Sequence, residues 1–117
     1  MSTSKNKIVN KRASDPIDRM IYEKGLRITE ILPVKKQDSL IVFLNNGNSI
    51  NVKLSFFTRL KGATQTQLNN WKLISKGIGI EWPVIDEDLS LKGLIHQLIV
   101  QNTLRYVAGE NTFAMAA

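Results

Sequence analysis

The sequence predicts an α+β fold: a small antiparallel sheet built on an N-terminal β-hairpin core, packed helices and a longer C-terminal helix. Three observations carry this. Leu40, Val42 and Leu44 alternate with Ile41 and Phe43 before Asn46-Gly47, and Ile50, Val52 and Leu54 alternate with Asn51 and Lys53 after it, the pattern of two strands joined by a tight turn. Thr64 and Gln67 stand at the spacing of a capping box, which marks a helix start. Leu91, Leu94, Ile95, Leu98 and Ile99 form a helical stripe, extended by Thr103, Tyr106 and Val107.

The elements follow in order. Asp15 suits an N-cap and Pro16 the first helical position; Ile17, Met20 and Ile21 then share a face and Gly25 stops the chain, giving a short helix over 16–24. Residues 26–34 are β-rich, with Pro33 marking an end or an edge. The strand over 38–45 is apolar on both faces and is expected to be central. Asn46-Gly47 predicts a type I′ turn with positive φ at both residues, and 48–54 returns half exposed. Ser55 can cap a helical turn over 56–61 that Gly62 ends. The capping box opens a helix over 65–71 with Leu68 and Trp71 inward. Ile78, Ile80 and Trp82 alternate with Gly79 and Glu81 as a further strand, where Gly77 and Gly79 imply a bulge or a close backbone approach and Pro83 an end. Ser90 caps the last helix and Gly109 closes it. The expected organisation is a mobile basic tail over 1–14, one domain over 15–108 and a tail over 109–117.

A chain of 117 residues supports one core. Its 43% hydrophobic and 22% charged residues are ordinary for a globular protein. The absence of Cys excludes disulfides and thiolate metal sites. Met1-Ser2-Thr3-Ser4-Lys5 carries no apolar leader run, and no window approaches the ~20 apolar residues that cross a bilayer, so a soluble, cytoplasmic protein without membrane attachment is expected.

The formal charge is +6, and Lys5, Lys7, Lys11 and Arg12 all precede the first acid, Asp15. Such a tail serves solubility or touches phosphates by nonspecific attraction; it has no interleaved aromatics to stack on bases. Asp86-Glu87-Asp88 has the oxygen density of a hard-cation site but lacks the alternating acids and central Gly of a calcium loop. Those acids also suit a helix N-terminus, or a basic partner. His96 is the sole histidine, and Ser90, six residues before it, is not on its helix face, so no triad presents itself. Trp71 and Trp82 fit either core positions, with the indole N–H on a carbonyl, or interface anchors. Of Phe56 and Phe57, one faces the core and the other the rim. Gly77-Ile78-Gly79 lacks the Lys-Ser/Thr and the following helix of a phosphate loop.

One long stretch goes further. Leu54-Ser55-Phe56-Phe57-Thr58-Arg59-Leu60, Ala63-Thr64, Asn69-Asn70-Trp71-Lys72-Leu73-Ile74, Gly77-Ile78-Gly79-Ile80-Glu81-Trp82-Pro83, Asp86-Glu87-Asp88-Leu89-Ser90 and Gly93-Leu94 resemble, in order and spacing, the bacterial domain of unknown function 2442 family. That family is expected to read L-S-W-F-P-R-L, A-T-P-E-Q, N-W-E-L-I-G-G-G-Y-G-I-H-W-P and D-E-D-L-S-V-E-G-L-L. The resemblance covers about residues 26–96. This chain departs at Phe56, Thr58, Lys76 and Ile78, and Glu81 stands where His is common. The resemblance implies a small α+β fold with no established activity. Some relatives carry an added helix-turn-helix, and many are encoded beside a second small protein in pairs resembling toxin–antitoxin modules, which implies an accessory or antitoxin-like role.

Two readings of function follow. The first is a non-enzymatic protein-interaction module, antitoxin-like or regulatory, whose partner is the product of a neighbouring gene and whose contacts are Trp82, Asp86, Glu87, Asp88, Phe57 and Arg59. The second is nucleic-acid binding through Lys5, Lys7, Lys11 and Arg12, with Lys53, Arg59, Lys61 and Lys72. No catalytic residue, metal site or cofactor is expected.

Overall fold

The computed structural model describes residues 15–107, with side chains described as far as Thr103. The expectations placed on the basic tail, Lys5, Lys7, Lys11 and Arg12 included, and on the C-terminal tail lie outside the described residues.

The first helix, α1, spans Pro16–Asp18 and runs directly into a π-helical turn, Arg19–Glu23. Asp15 is its N-cap: Oδ1 accepts from the amides of Ile17 at 2.9 Å and Asp18 at 3.4 Å. The i→i+5 bond from Lys24 N–H to the Arg19 carbonyl, 3.0 Å, re-phases the helix face. Ile21 is therefore buried, whereas Met20, expected beside it, is 43% exposed.

The expected hairpin exists as part of a three-stranded antiparallel sheet, β1 (Ile28–Val34), β2 (Ser39–Leu44) and β3 (Ser49–Val52), with β2 in the centre. Pro33 sits on the edge strand, where a missing N–H costs no ladder bond. Only one face of β2 is closed, however. Leu40 and Val42 are fully buried, while Ile41 is half-buried and Phe43 is 37% exposed. The turn also differs. Gly47 alone takes positive φ, at +90°, and Asn46 does not. Gly47 N–H donates to the Leu44 carbonyl at 3.2 Å and Leu44 N–H to the Asn48 carbonyl at 2.9 Å, so the loop has three residues rather than a two-residue type I′ turn. The side chain of Asn45 decides this. Its Nδ2 donates to the Gly25 carbonyl and its Oδ1 accepts from Arg27 N–H, each at 3.0 Å, which draws Asn45 out of the ladder.

A second three-stranded antiparallel sheet comprises β4 (Lys72–Ile74), β5 (Gly79–Trp82) and β6 (Glu87–Ser90), again with the middle strand central. Only β5 is apparent in the sequence. β4 has three residues, too few for a period to register. β6 begins with two acids, poor strand formers, and is imposed by its pairing with β5: Trp82 opposes Glu87 and Glu81 opposes Asp88. The expected acidic helix entrance is therefore a strand.

Between the sheets lie two one-turn helices, α2 (Thr58–Lys61) and α3 (Gln65–Leu68). The capping box of α3 is present: Thr64 Oγ1 accepts from Gln67 N–H at 3.1 Å and Gln67 Oε1 accepts from Thr64 N–H at 2.9 Å. The helix ends three residues earlier than expected, because Trp71 already leads into β4. Ser55 caps nothing; its hydroxyl donates to Asp38 Oδ2 at 2.6 Å and its amide to Oδ1 at 2.8 Å. The last helix, α4, spans Leu91–Val107, with the Ser90 hydroxyl accepting from Gly93 N–H at 2.9 Å as its cap.

Both sheets and all four helices feed one apolar core, including Ile21, Leu40, Val42, Leu60, Leu68, Ile80, Trp82, Leu91 and Leu94. Lys92 at the start of α4 ties α1 down. Its Nζ lies 2.9 Å from Asp18 Oδ1 and 3.3 Å from Asp15 Oδ2. Partial burial pushes the Asp15 carboxyl up, but the amides of Asp18 and Ile17 and the Lys92 ammonium outweigh it and hold it below the usual carboxylate value. A group depressed in the folded state adds stability above its unfolded pKa and loses it as pH falls through the folded value. Acid unfolding, followed by circular dichroism, should therefore steepen below about pH 4, and Asp15→Asn should flatten that limb. The Asp18 hydrogen bond, followed by Asp15, raises the Lys92 ammonium, so its contribution persists through neutral pH and is lost only at strongly alkaline pH.

Candidate functional site

The sequence-derived contact set divides once the fold is in place. Trp82 lies on the inner face of β5, fully buried, and its Nε1–H donates to the Leu68 carbonyl at 2.9 Å. This core position removes it from the contact surface, because alternation along β5 turns Trp82 inward with Ile80. Phe57, also expected as a contact, is half-buried and packs on the core, while Phe56 is 39% exposed. The pair divides as the sequence implied, with Phe56 on the rim.

Arg59 and Asp86, assigned to one binding surface, are brought together. Asp86 ends the turn Pro83–Ile85 in a left-handed conformation, φ 53° and ψ 50°. The Arg59 guanidinium donates to the Asp86 carbonyl and lies 3.2 Å from its Oδ2. The Asp86 side chain is 97% exposed, so this pair fixes the turn more than it stabilises the fold. Asp88 is exposed on β6 and Glu87 half-buried.

Beside this turn the structure reveals a shallow groove of about 380 Å³, lined by Asn69, Asn70, Trp71, Lys72, Pro83 and Val84. Its walls are the exit of α3 and the start of β4 on one side and the β5–β6 turn on the other. Val84 is 66% exposed, the most exposed large apolar side chain among the described residues. Trp71, expected inward on a longer α3, is half-buried: from beyond the helix end it packs against the core and also lines the groove. Lys72 bonds Glu81 across the β4–β5 pair at 3.5 Å and gives one wall a charged rim. Val84 and Pro83 escaped the sequence reading because an isolated Pro-Val carries no motif; its exposure follows from the turn between two strands, one of which was not recognised.

A second groove, of about 370 Å³, lies between β3 and α4 and has polar walls, among them Ser39, Asn51, Gln101 and Asn102. Neither groove is lined by Glu81, His96 or the acidic run, and His96 is exposed on α4. Among the described residues no three His, Asp or Glu side chains gather as a metal site, and no helix is long and apolar enough to cross a membrane.

Fold and groove together define a small α+β scaffold in which two three-stranded antiparallel sheets share a core with a capping C-terminal helix. The chain belongs to the family described as protein of unknown function (DUF2442), whose family model matches residues 28–99. A crystal structure of a protein of unknown function from Rhodospirillum rubrum is similar, with 29% identity and a TM-score of 0.56, covering 62% of this chain and 87% of that one. An uncharacterized protein from Chromobacterium violaceum, solved by NMR in solution, shares the fold at 20% identity and a TM-score of 0.57, covering 75% and 80% of the two chains. No curated protein matches the chain.

Proposed function

We propose that this protein is a non-enzymatic interaction module that docks a partner protein in the Trp71–Val84 groove. The observation that carries this reading is the exposed Val84 beside the half-buried Trp71 indole in one groove, with the exposed Asp86 two residues further along the same turn. Apolar anchors flanked by charge suit a segment that inserts one side chain and carries basic residues around it. The antitoxin-like or regulatory accessory role implied by the family resemblance is consistent with such a module. A cytoplasmic partner encoded by a neighbouring gene is the natural candidate.

Val84→Asp tests it. Affinity capture from host extract, read by mass spectrometry, should recover a partner with the wild-type chain and lose it, by about tenfold or more, with the variant. Val84 is exposed, so the fold should hold to within about 0.5 kcal/mol. Equal recovery with both chains counts against the groove.

A second reading, nucleic-acid binding, draws on Lys35, Lys36 and Lys61. Lys35 Nζ donates to the Lys61 carbonyl at 3.1 Å, which gathers these exposed cations at one end of the first sheet. Binding of this kind weakens steeply with salt, since each neutralised phosphate releases a counterion. Gel shifts at low salt that show no complex would remove it.

A further inference from the structure

The first sheet has two edges and one uncovered face, and the three are treated differently. Each edge carries a side-chain amide at one end. Gln65 on α3 donates through Nε2 to the Pro33 carbonyl at 2.8 Å and accepts through Oε1 from Lys35 N–H at 2.8 Å. Gln101 on α4 does the same at β3, with Nε2 donating to the Asn51 carbonyl at 3.4 Å and Oε1 accepting from Lys53 N–H at 3.1 Å. Each carboxamide presents one donor and one acceptor to residues i and i+2, as a neighbouring strand does, so it occupies positions a further strand needs. Pro33 removes one more edge donor.

The outer face is open. Strand alternation places Leu32, Ile41 and Phe43 there, with Leu32 47% and Phe43 37% exposed and Ile41 half-buried. Two of its corners are charged. Glu30 opposes Phe43 at one end of β1, and Lys53, extended at φ −80° and ψ 131°, continues the Asn51 face at the far end of β3. Both are exposed, and neither joins an ion pair among the described residues.

We propose that this face binds a second copy of the chain. Glu30 and Lys53 stand at diagonally opposite corners, with Ile41 near the middle. A two-fold axis in the plane of the interface, along the other diagonal, brings Lys53 of each copy onto Glu30 of its mate and Ile41 onto Ile41. The two sheets then cross at close to a right angle, one of the two ways in which sheets stack. The contact is isologous, so one charge arrangement is satisfied twice. The edge amides and Pro33 obstruct strand addition, and the open apolar face offers the other route of association.

Sedimentation equilibrium over a concentration series, on the full chain, tests this. The wild type should show the mass of a dimer at high concentration. Phe43→Ser should weaken association by about tenfold or more; as an exposed position it should leave the circular dichroism spectrum unchanged. Glu30→Lys and Lys53→Glu should each weaken it by a similar factor, because each places like charges together twice. The double variant Glu30→Lys/Lys53→Glu should return to within a few-fold of wild type, because it restores both pairs. A wild-type monomer at every concentration overturns the proposal, as does a dimer indifferent to Phe43→Ser. A double variant no tighter than the singles overturns the diagonal arrangement.

Discussion

Trp82→Ala is expected to lower the stability of this domain by about 3–5 kcal/mol, a large fraction of the ~5–15 kcal/mol that holds a typical domain together. Trp82 is fully buried on the inner face of β5 against the end of α3, and its loss removes apolar contacts that no neighbour can replace without moving a strand. It also removes the indole donor from the buried Leu68 carbonyl, 2.9 Å away. Thermal unfolding should show a midpoint lower by about 12–40 °C, at roughly 4–8 °C per kcal/mol for a domain of this size. Trp82→Phe separates the two contributions. It keeps much of the ring and abandons the hydrogen bond, so its cost should fall to about 1–3 kcal/mol. A Trp82→Ala variant melting within a few degrees of wild type would show that the indole is not the keystone of this core.

Gly77→Ala should be nearly as damaging, for a backbone reason. Ser75, Lys76 and Gly77 take three successive positive φ values, 52°, 57° and 100°, in the turn between β4 and β5. At Gly77 a Cβ atom would sit 2.5 Å from the Ile28 carbonyl oxygen and 3.2 Å from Arg27 Cβ, both at the entrance to β1. The turn is thus where the second sheet rests on the first, and no side chain fits between them. The left-handed conformation costs about 1–2 kcal/mol and the clash about 1–3 more, for roughly 2–5 kcal/mol in urea unfolding. Lys76→Gly should move the other way. It relieves about 1–2 kcal/mol of left-handed strain and gives back ~0.5–1 in chain entropy, a net gain of up to about 1.5 kcal/mol. A Gly77→Ala midpoint equal to wild type would rule out this close approach. The family resemblance expects glycine across this turn, and the positive φ values supply its physical cause.

Much of the fold was legible because it rests on local chemistry. Asp15-Pro16, the Thr64–Gln67 box and Ser90 start helices through bonds that span two to three residues, and each is present. The hairpin was legible from alternation, but its turn was not, because an Asn45 bond to residues some twenty positions away displaced the local preference of Asn46-Gly47. The groove was less legible than the fold. Trp82 and Phe57 fit either anchor or core positions in the sequence, and only packing could choose. Val84 carried no signal at all.

The starts of α1, α3 and α4, the periods of β2, β3 and β5 and the α+β class follow from the chain's local chemistry, since they rest on hydrogen bonds and side-chain patterns within a few residues. Only packing made β6 a strand despite its acids, buried Trp82 fully while Trp71 both touches the core and lines a groove, and set an amide side chain against each edge of the first sheet. Each of those outcomes depends on groups distant in the chain meeting in space, and a pairing partner's identity is not written in the residues that receive it.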